Sequence, residues 1–258
     1  MQRYSLILIG ILICNHLFAQ DESLYFSQIP DIEIKEKLSP QFSHRSIAWN
    51  VQNFKYYTTA VDSGSTYIET FDALGDSRNI KKFDFSTKGI WYNTTLDFLE
   101  AYNFLDNSCY SFFIDDNGEF ENTDINIELE GLQEKGTSVF PVYNTNKDLL
   151  AYYEPIAGII VEIEPISGEI LNYISVTLPV SKKSIAKQQL LYTGITDAPY
   201  ALVNYIDKFV YFFDTKGLVN HTLVCPTSES ELSYFGFTNG AFWMYSTNDS
   251  SWKGYAIH

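Results

Sequence analysis

One phrase recurs along this chain and limits what it can fold into: an aromatic-rich run, a turn of the form Asp-x-x-Gly, and a second apolar run. It is clearest in FVYFFDTKGLVNHTLVCP, Phe209 to Pro226. Aromatic residues and a valine lead to Asp214, Thr215 and Lys216 make the turn, and Gly217 can take the positive φ that closes it. The second half is rich in β-branched and apolar residues, as a paired strand is. The same phrase spans Phe54 to Phe85 with its turn at Asp72 to Gly75, and Leu99 to Leu129 with its turn at Asp115 to Gly118. It returns from Leu149 to Pro179 with a longer turn, Glu164 to Gly168. In the last unit, Ser233 to His258, Asn248 to Ser251 stands where the Asp/Gly turn is expected.

Each unit reads as two consecutive hairpins. The first turns at Asp106-Asn107, Asp207-Lys208 or Asn239-Gly240, the second at the Asp/Gly phrase. Apolar stretches between units supply candidate first strands: Ser46 to Val51, Val139 to Tyr143 and Gln189 to Ile195. That makes four strands per unit. The matching glycines Gly75, Gly118, Gly168 and Gly217 are spaced by 43, 50 and 49 residues. A four-stranded repeat of that period is what a propeller blade needs. A β-helix coil repeats at a shorter interval, and a sandwich has no reason to repeat one phrase five times. The expectation is an all-β fold, a β-propeller of five four-stranded blades. A sixth blade stays open if Leu24 to Pro40 and the stretch Gly131 to Ser138 hold strands. Ile32 to Leu38 alternates weakly and reads as an outer strand pairing with the C-terminal unit, against the alternative of a tether.

The phrase, with FVYFFDTKG as its best instance, resembles the blades of secreted TolB-like and NHL-like β-propellers. The resemblance covers Phe54 to His258 and implies a fold. Many such propellers bind ligands, but the resemblance transfers no catalytic residue. The Glu164 turn departs from it by Pro165 and an extra residue, and the last unit by lacking both Asp and Gly.

The ends and the charge bound the setting. Met1 to Gln20 reads as a signal peptide: Arg3, the apolar run SLILIGILIC and a Leu17-Phe18-Ala19 cleavage site. That apolar run is too short to span a bilayer. A lipoprotein reading would anchor Cys14, but the bulky Ile13 before it disfavours that. The expected mature chain, 21–258, is one domain, secreted or periplasmic, and monomeric, with no membrane insertion after cleavage. A net charge of −15 argues against nucleic acid and anionic membrane surfaces.

Chemistry is thin. Only His44, His221 and His258 remain after the leader, with no spacing for a zinc site, and no G-x-S-x-G elbow occurs. Asp115 to Glu119 offers oxygen ligands for calcium, yet a hairpin turn explains every residue. No cofactor or metal is expected. Cys109 and Cys225 fall on separate units and read as two buried thiols rather than a bridge. Asp62, Asp97, Asp148, Asp197 and Glu231 are the candidates for a carboxylate pair of the kind a glycan hydrolase or lyase uses. Trp91, in GIWYNTT (Gly89 to Thr95), reads as a loop residue and a candidate binding platform. The expected function is binding of a protein or glycan ligand, with the carboxylate enzyme as the alternative.

Overall fold

The computed structural model describes residues 24–115, 117–128, 140–178, 188–204, 206–226 and 232–258. The leader and the stretch 131–138 lie outside them. Twenty strands form five four-stranded antiparallel sheets. Blade one is β2 (Ser43–Asn50), β3 (Lys55–Asp62), β4 (Ser65–Asp72) and β5 (Ser77–Phe83). Blade two is β6 (Thr87–Asn93), β7 (Phe98–Asn103), β8 (Ser108–Ile114) and β9 (Phe120–Glu128). Blade three is β10 (Val142–Asn144), β11 (Leu149–Glu154), β12 (Ile159–Ile163) and β13 (Ile170–Ser175). Blade four is β14 (Gln188–Ile195), β15 (Ala198–Asn204), β16 (Phe209–Phe213) and β17 (Val219–Val224). Blade five takes β18 (Leu232–Thr238), β19 (Ala241–Ser246) and β20 (Ser251–Ala256) from the C-terminus and β1 (Ile32–Lys35) from the N-terminus.

The innermost strands β2, β6, β10, β14 and β18 neighbour one another in a closed circle. The chain is a five-bladed β-propeller. Leu24 to Pro40 supplies the closing strand and no sixth blade: Ile32 pairs with Gly254 and Lys35 with Ser251. Closure from the opposite terminus covers the free edge of β20.

The turns at Gly75, Gly118, Gly168 and Gly217 all join the third and fourth strands of their blades, with φ of 87°, 82°, 72° and 80°. In the three Asp turns the carboxylate caps its own loop. Asp214 Oδ1 accepts the N–H groups of Lys216 and Leu218 at 2.8 Å, and Asp72 and Asp115 do the same. This is the hairpin explanation of Asp115 to Glu119. Glycine is required at two of these turns for a second reason, because the turn tucks under the neighbouring blade. A Cβ on Gly217 would stand 2.1 Å from the Ser175 carbonyl oxygen, and one on Gly75 2.9 Å from that of Glu33.

The last unit corrects the sequence reading by one strand. Asn239-Gly240 joins β18 to β19, the first and second strands, and the turn before Ser251 joins the second and third. The fourth strand of this blade is β1, paired with β20, so the third-to-fourth Asp/Gly turn of the other blades has no counterpart there. β6 is a second correction. Gly89 to Asn93 is not a loop but the inner strand of blade two, and all seven residues of β6 are buried. Covered on both faces, it shows no polar alternation.

A second repeat sets the inner hairpins. Asn50, Asn93 and Asn144 each end an innermost strand and turn their amide oxygens onto N–H groups two and three residues ahead. Four residues after each stands a non-glycine residue in the left-handed region: Phe54, Asp97 and Asp148. Asn103 with Asn107, and Asn204 with Lys208, repeat the device between second and third strands.

Each blade boundary holds one apolar cluster. Tyr57 and Ile68 meet Leu99 and Phe112 between blades one and two, and Tyr102 meets Tyr152 and Val161 between two and three. Ile160 meets Leu202 and Tyr211 next, then Phe212 meets Phe235 and Phe242. Trp243 and Trp252 close the ring against Tyr56 and Phe71, with Ile34 of β1 wholly buried among them. Each such side chain contributes about 1.5–3 kcal/mol by leaving water. The closing strand is also tied by a buried ion pair, Arg45 to Glu36, with Trp252 Nε1 donating to Glu36 Oε1 at 2.9 Å. Cys109 and Cys225 are buried free thiols, as expected.

Candidate functional site

The innermost strands surround a cavity of about 250 Å³ at the centre of the ring, and all five contribute to its wall. The wall is rich in aromatic and apolar side chains, with Ile47, Trp49, Trp91, Tyr192 and Phe235 all reaching it, interspersed with polar ones such as Ser46, Gln189 and Asn239. This follows from the fold, since an inner strand has one side on the channel and the rest in blade packing.

Trp91 is therefore a wall residue and not an exposed platform. It is 7% exposed, and its Nε1 donates to Glu100 Oε2 at 2.8 Å across the strand pair. Its ring lies nearly parallel to that of Tyr143, with centroids 6.4 Å apart. Trp49, half-buried on β2, also lines the cavity and leans on Tyr56, centroids 4.4 Å apart.

The candidate acids do not converge. Asp62, Asp97, Asp148 and Asp197 sit exposed in or beside hairpin turns, where Asp97 and Asp148 accept the hydroxyls of Tyr92 and Tyr143. Glu231 lies outside the described residues. No aspartate or glutamate is among the described residues that line the cavity. The buried carboxylates are elsewhere, in blade packing. Burial raises Glu100, against donation from Trp91, Asn93 and Ser111. Burial acts on Glu162 too, but Lys147 at 2.9 Å, Asn172 at 3.0 Å and Tyr200 at 2.7 Å bring it below the usual carboxylate range. These are satisfied structural groups rather than a catalytic pair. Among the described residues no cluster of His, Cys, Asp and Glu has the arrangement of a metal site.

Among the described residues one charged side chain does reach the channel: Lys88, early in β6. It is 3% exposed. Its Nζ lies 4.9 Å from the ring centre of Phe104 and 4.8 Å from that of Phe140. His44, just inside β2 with a φ of 50°, brings its imidazole to 5.0 Å from the Phe104 ring and 6.3 Å from the Phe140 ring. Tyr234 OH accepts the His44 backbone N–H at 3.2 Å. Burial lowers Lys88 to about 8, and burial followed by the Lys88 charge lowers His44. Sequence reasoning missed Lys88. A lone lysine before Gly-Ile-Trp-Tyr carries no local signal, and only ring closure puts it on the channel.

No protein-family model matches the sequence, and no curated protein matches it. Among solved structures, that of a streptogramin B lyase aligns over 91% of this chain and 88% of its own, at 14% identity and a TM-score of 0.50. A protein of unknown function from Bacteroides thetaiotaomicron aligns over 84% and 60%, at 11% identity and a TM-score of 0.47. The Cps50 (Swd1) β-propeller domain of Myceliophteria thermophila aligns over 82% of each chain, at 10% identity and a TM-score of 0.44. The likeness is one of fold: this chain is similar to β-propeller proteins in architecture.

Proposed function

We propose that the protein is an exported binding module whose ligand, a glycan or a segment of another protein, enters the central channel. The observation that carries this reading is the channel itself: a concave, aromatic-rich wall contributed by all five blades. Flat aromatic faces receive sugar rings and apolar side chains, and a rigid ring holds them without an ordering penalty on binding. The leader-like Met1 to Gln20 supports export. The placement of Asp62, Asp97, Asp148 and Asp197 in exposed hairpin turns, off the cavity wall, favours binding over glycan cleavage.

Tryptophan fluorescence tests this reading. Trp49 and Trp91 line the channel, whereas Trp243 and Trp252 are sealed between blades five and one. A glycan or peptide that binds should change the emission, and Trp49→Phe should remove most of the change. Binding that leaves the emission unaltered, and that is lost instead on replacing the exposed outer-strand Tyr173, would move the site off the channel.

A further inference from the structure

We propose that the mouth of the channel where β2, β6 and β10 begin is a site for a small carboxylate, held by the Lys88 ammonium while apolar wall residues such as Ile47, Leu191 and Phe235 take its apolar body. This deepens the reading of the channel as the binding site and rests on it. The chain has 32 acidic residues against 17 lysines and arginines, so a buried cation here has partners in plenty. Others are paired. Lys147 reaches Glu162 at 2.9 Å, Lys253 reaches Asp249 at 2.8 Å, and the buried Arg45 is held by Glu36. Lys88 has no carboxylate partner among the described residues, and no carboxylate among them lines the cavity.

What it has instead is two aromatic faces. They hold the cation but accept none of its three N–H donors conventionally. An ammonium on the cavity wall without a carboxylate partner leaves those donors to whatever fills the channel. A ligand acceptor on the channel side would complete the group. The strained left-handed His44 backbone, fixed by Tyr234, brings a second N–H-bearing ring to the same two phenyl faces.

Charge and size narrow the ligand. His44 is lowered, which leaves the imidazole mainly neutral near pH 7, and Arg45 is committed to Glu36. One positive charge is thus on offer, which matches a carboxylate. A phosphate dianion would bring a second charge to a wall whose described residues hold no second cation to neutralise it. The 250 Å³ cavity, with Ile47, Leu191 and Phe235 on its wall, suits a compact acid with an apolar or aromatic body.

Calorimetric titration of the purified protein with benzoate, benzamide and inorganic phosphate tests this, on the wild type and on Lys88→Met. Benzoate should bind the wild type and lose about tenfold or more in affinity in the variant, the loss of one charge-assisted contact. Benzamide should bind weakly and equally to both, and phosphate should bind neither. In the wild type, benzoate affinity should also fall as pH rises through about 8, where Lys88 gives up its proton; this arm needs no variant to fold. Benzoate binding that is absent, indifferent to Lys88, or matched by phosphate overturns the proposal. Benzoate that alters tryptophan emission yet ignores Lys88→Met leaves the channel reading standing and removes only the carboxylate site.

Discussion

Gly217→Ala measures how tightly the repeat turns lock one blade to the next. At Gly217 two penalties coincide. Its φ of 80° is in the left-handed region, where a side chain costs about 1–2 kcal/mol. In addition the new Cβ would stand 2.1 Å from the Ser175 carbonyl oxygen and 3.0 Å from an Ile174 methyl carbon, both in blade three. Backbone cannot yield as a side-chain tip can, so the turn or β13 must move, at about 1–3 kcal/mol for overpacking. Gly64 is the control. Its φ is 86°, and a Cβ there would meet nothing within 4 Å. Gly64→Ala should therefore show the φ penalty alone. Urea denaturation of both variants, read by fluorescence and circular dichroism, gives the difference. Gly217→Ala should be the less stable by about 1–3 kcal/mol. Equal destabilisation would refute the idea that the turn is clamped between blades.

Other consequences are equally direct. Arg45→Met leaves Glu36 buried without its partner and should cost about 3–5 kcal/mol, whereas the double variant with Glu36→Gln should cost less than the sum of the singles; strict additivity would dismiss the pair as a coupled tie. Lys88 has a folded value of about 8 against an ordinary 10.5, so the unfolded state binds more protons between those limits and stability should rise with pH across that window. The rise is at most about 3 kcal/mol, less what solvent in the channel screens; Lys88→Met should abolish it and be more stable than wild type at pH 7, and an unchanged pH profile would show that Lys88 is not held away from water as a free cation. A chain lacking residues 24–38 loses Phe26, Ile34 and Leu38 from the core and bares the edge of β20. It should aggregate or elute as an expanded species on size exclusion, and a normal monomer would contradict ring closure by β1.

What was legible in the sequence was local. Asp214 and Gly217 carry their turn in their own chemistry, a carboxylate that caps N–H groups and a residue free to take positive φ, so the blade period can be read off directly. The weak alternation of Ile32 to Leu38 was enough to place β1, because one face of that strand packs and the other meets solvent. β6 was missed because both of its faces are covered. The Asn50, Asn93 and Asn144 hairpins were missed because their left-handed residues are Phe and Asp and not glycine, although an Asn five residues ahead of each strand entry was there to find. The frame of the last blade slipped by one strand because its fourth strand is more than 200 residues away in sequence. The channel was illegible for a related reason: its wall is assembled from all five blades, and Lys88 meets Phe140 only where blade two packs beside blade three.

Among the described residues Lys88 stands at the channel mouth as a cation without an anion, and nuclear magnetic resonance of protein labelled with ¹³C at the lysine ε-carbon observes that group directly. One lysine, absent from the Lys88→Met spectrum, should titrate near 8, and saturating benzoate should move its titration upward, because an adjacent carboxylate favours the charged form. If every lysine titrates in the ordinary range, or if the Lys88 signal ignores benzoate, the channel mouth is not the carboxylate site described above.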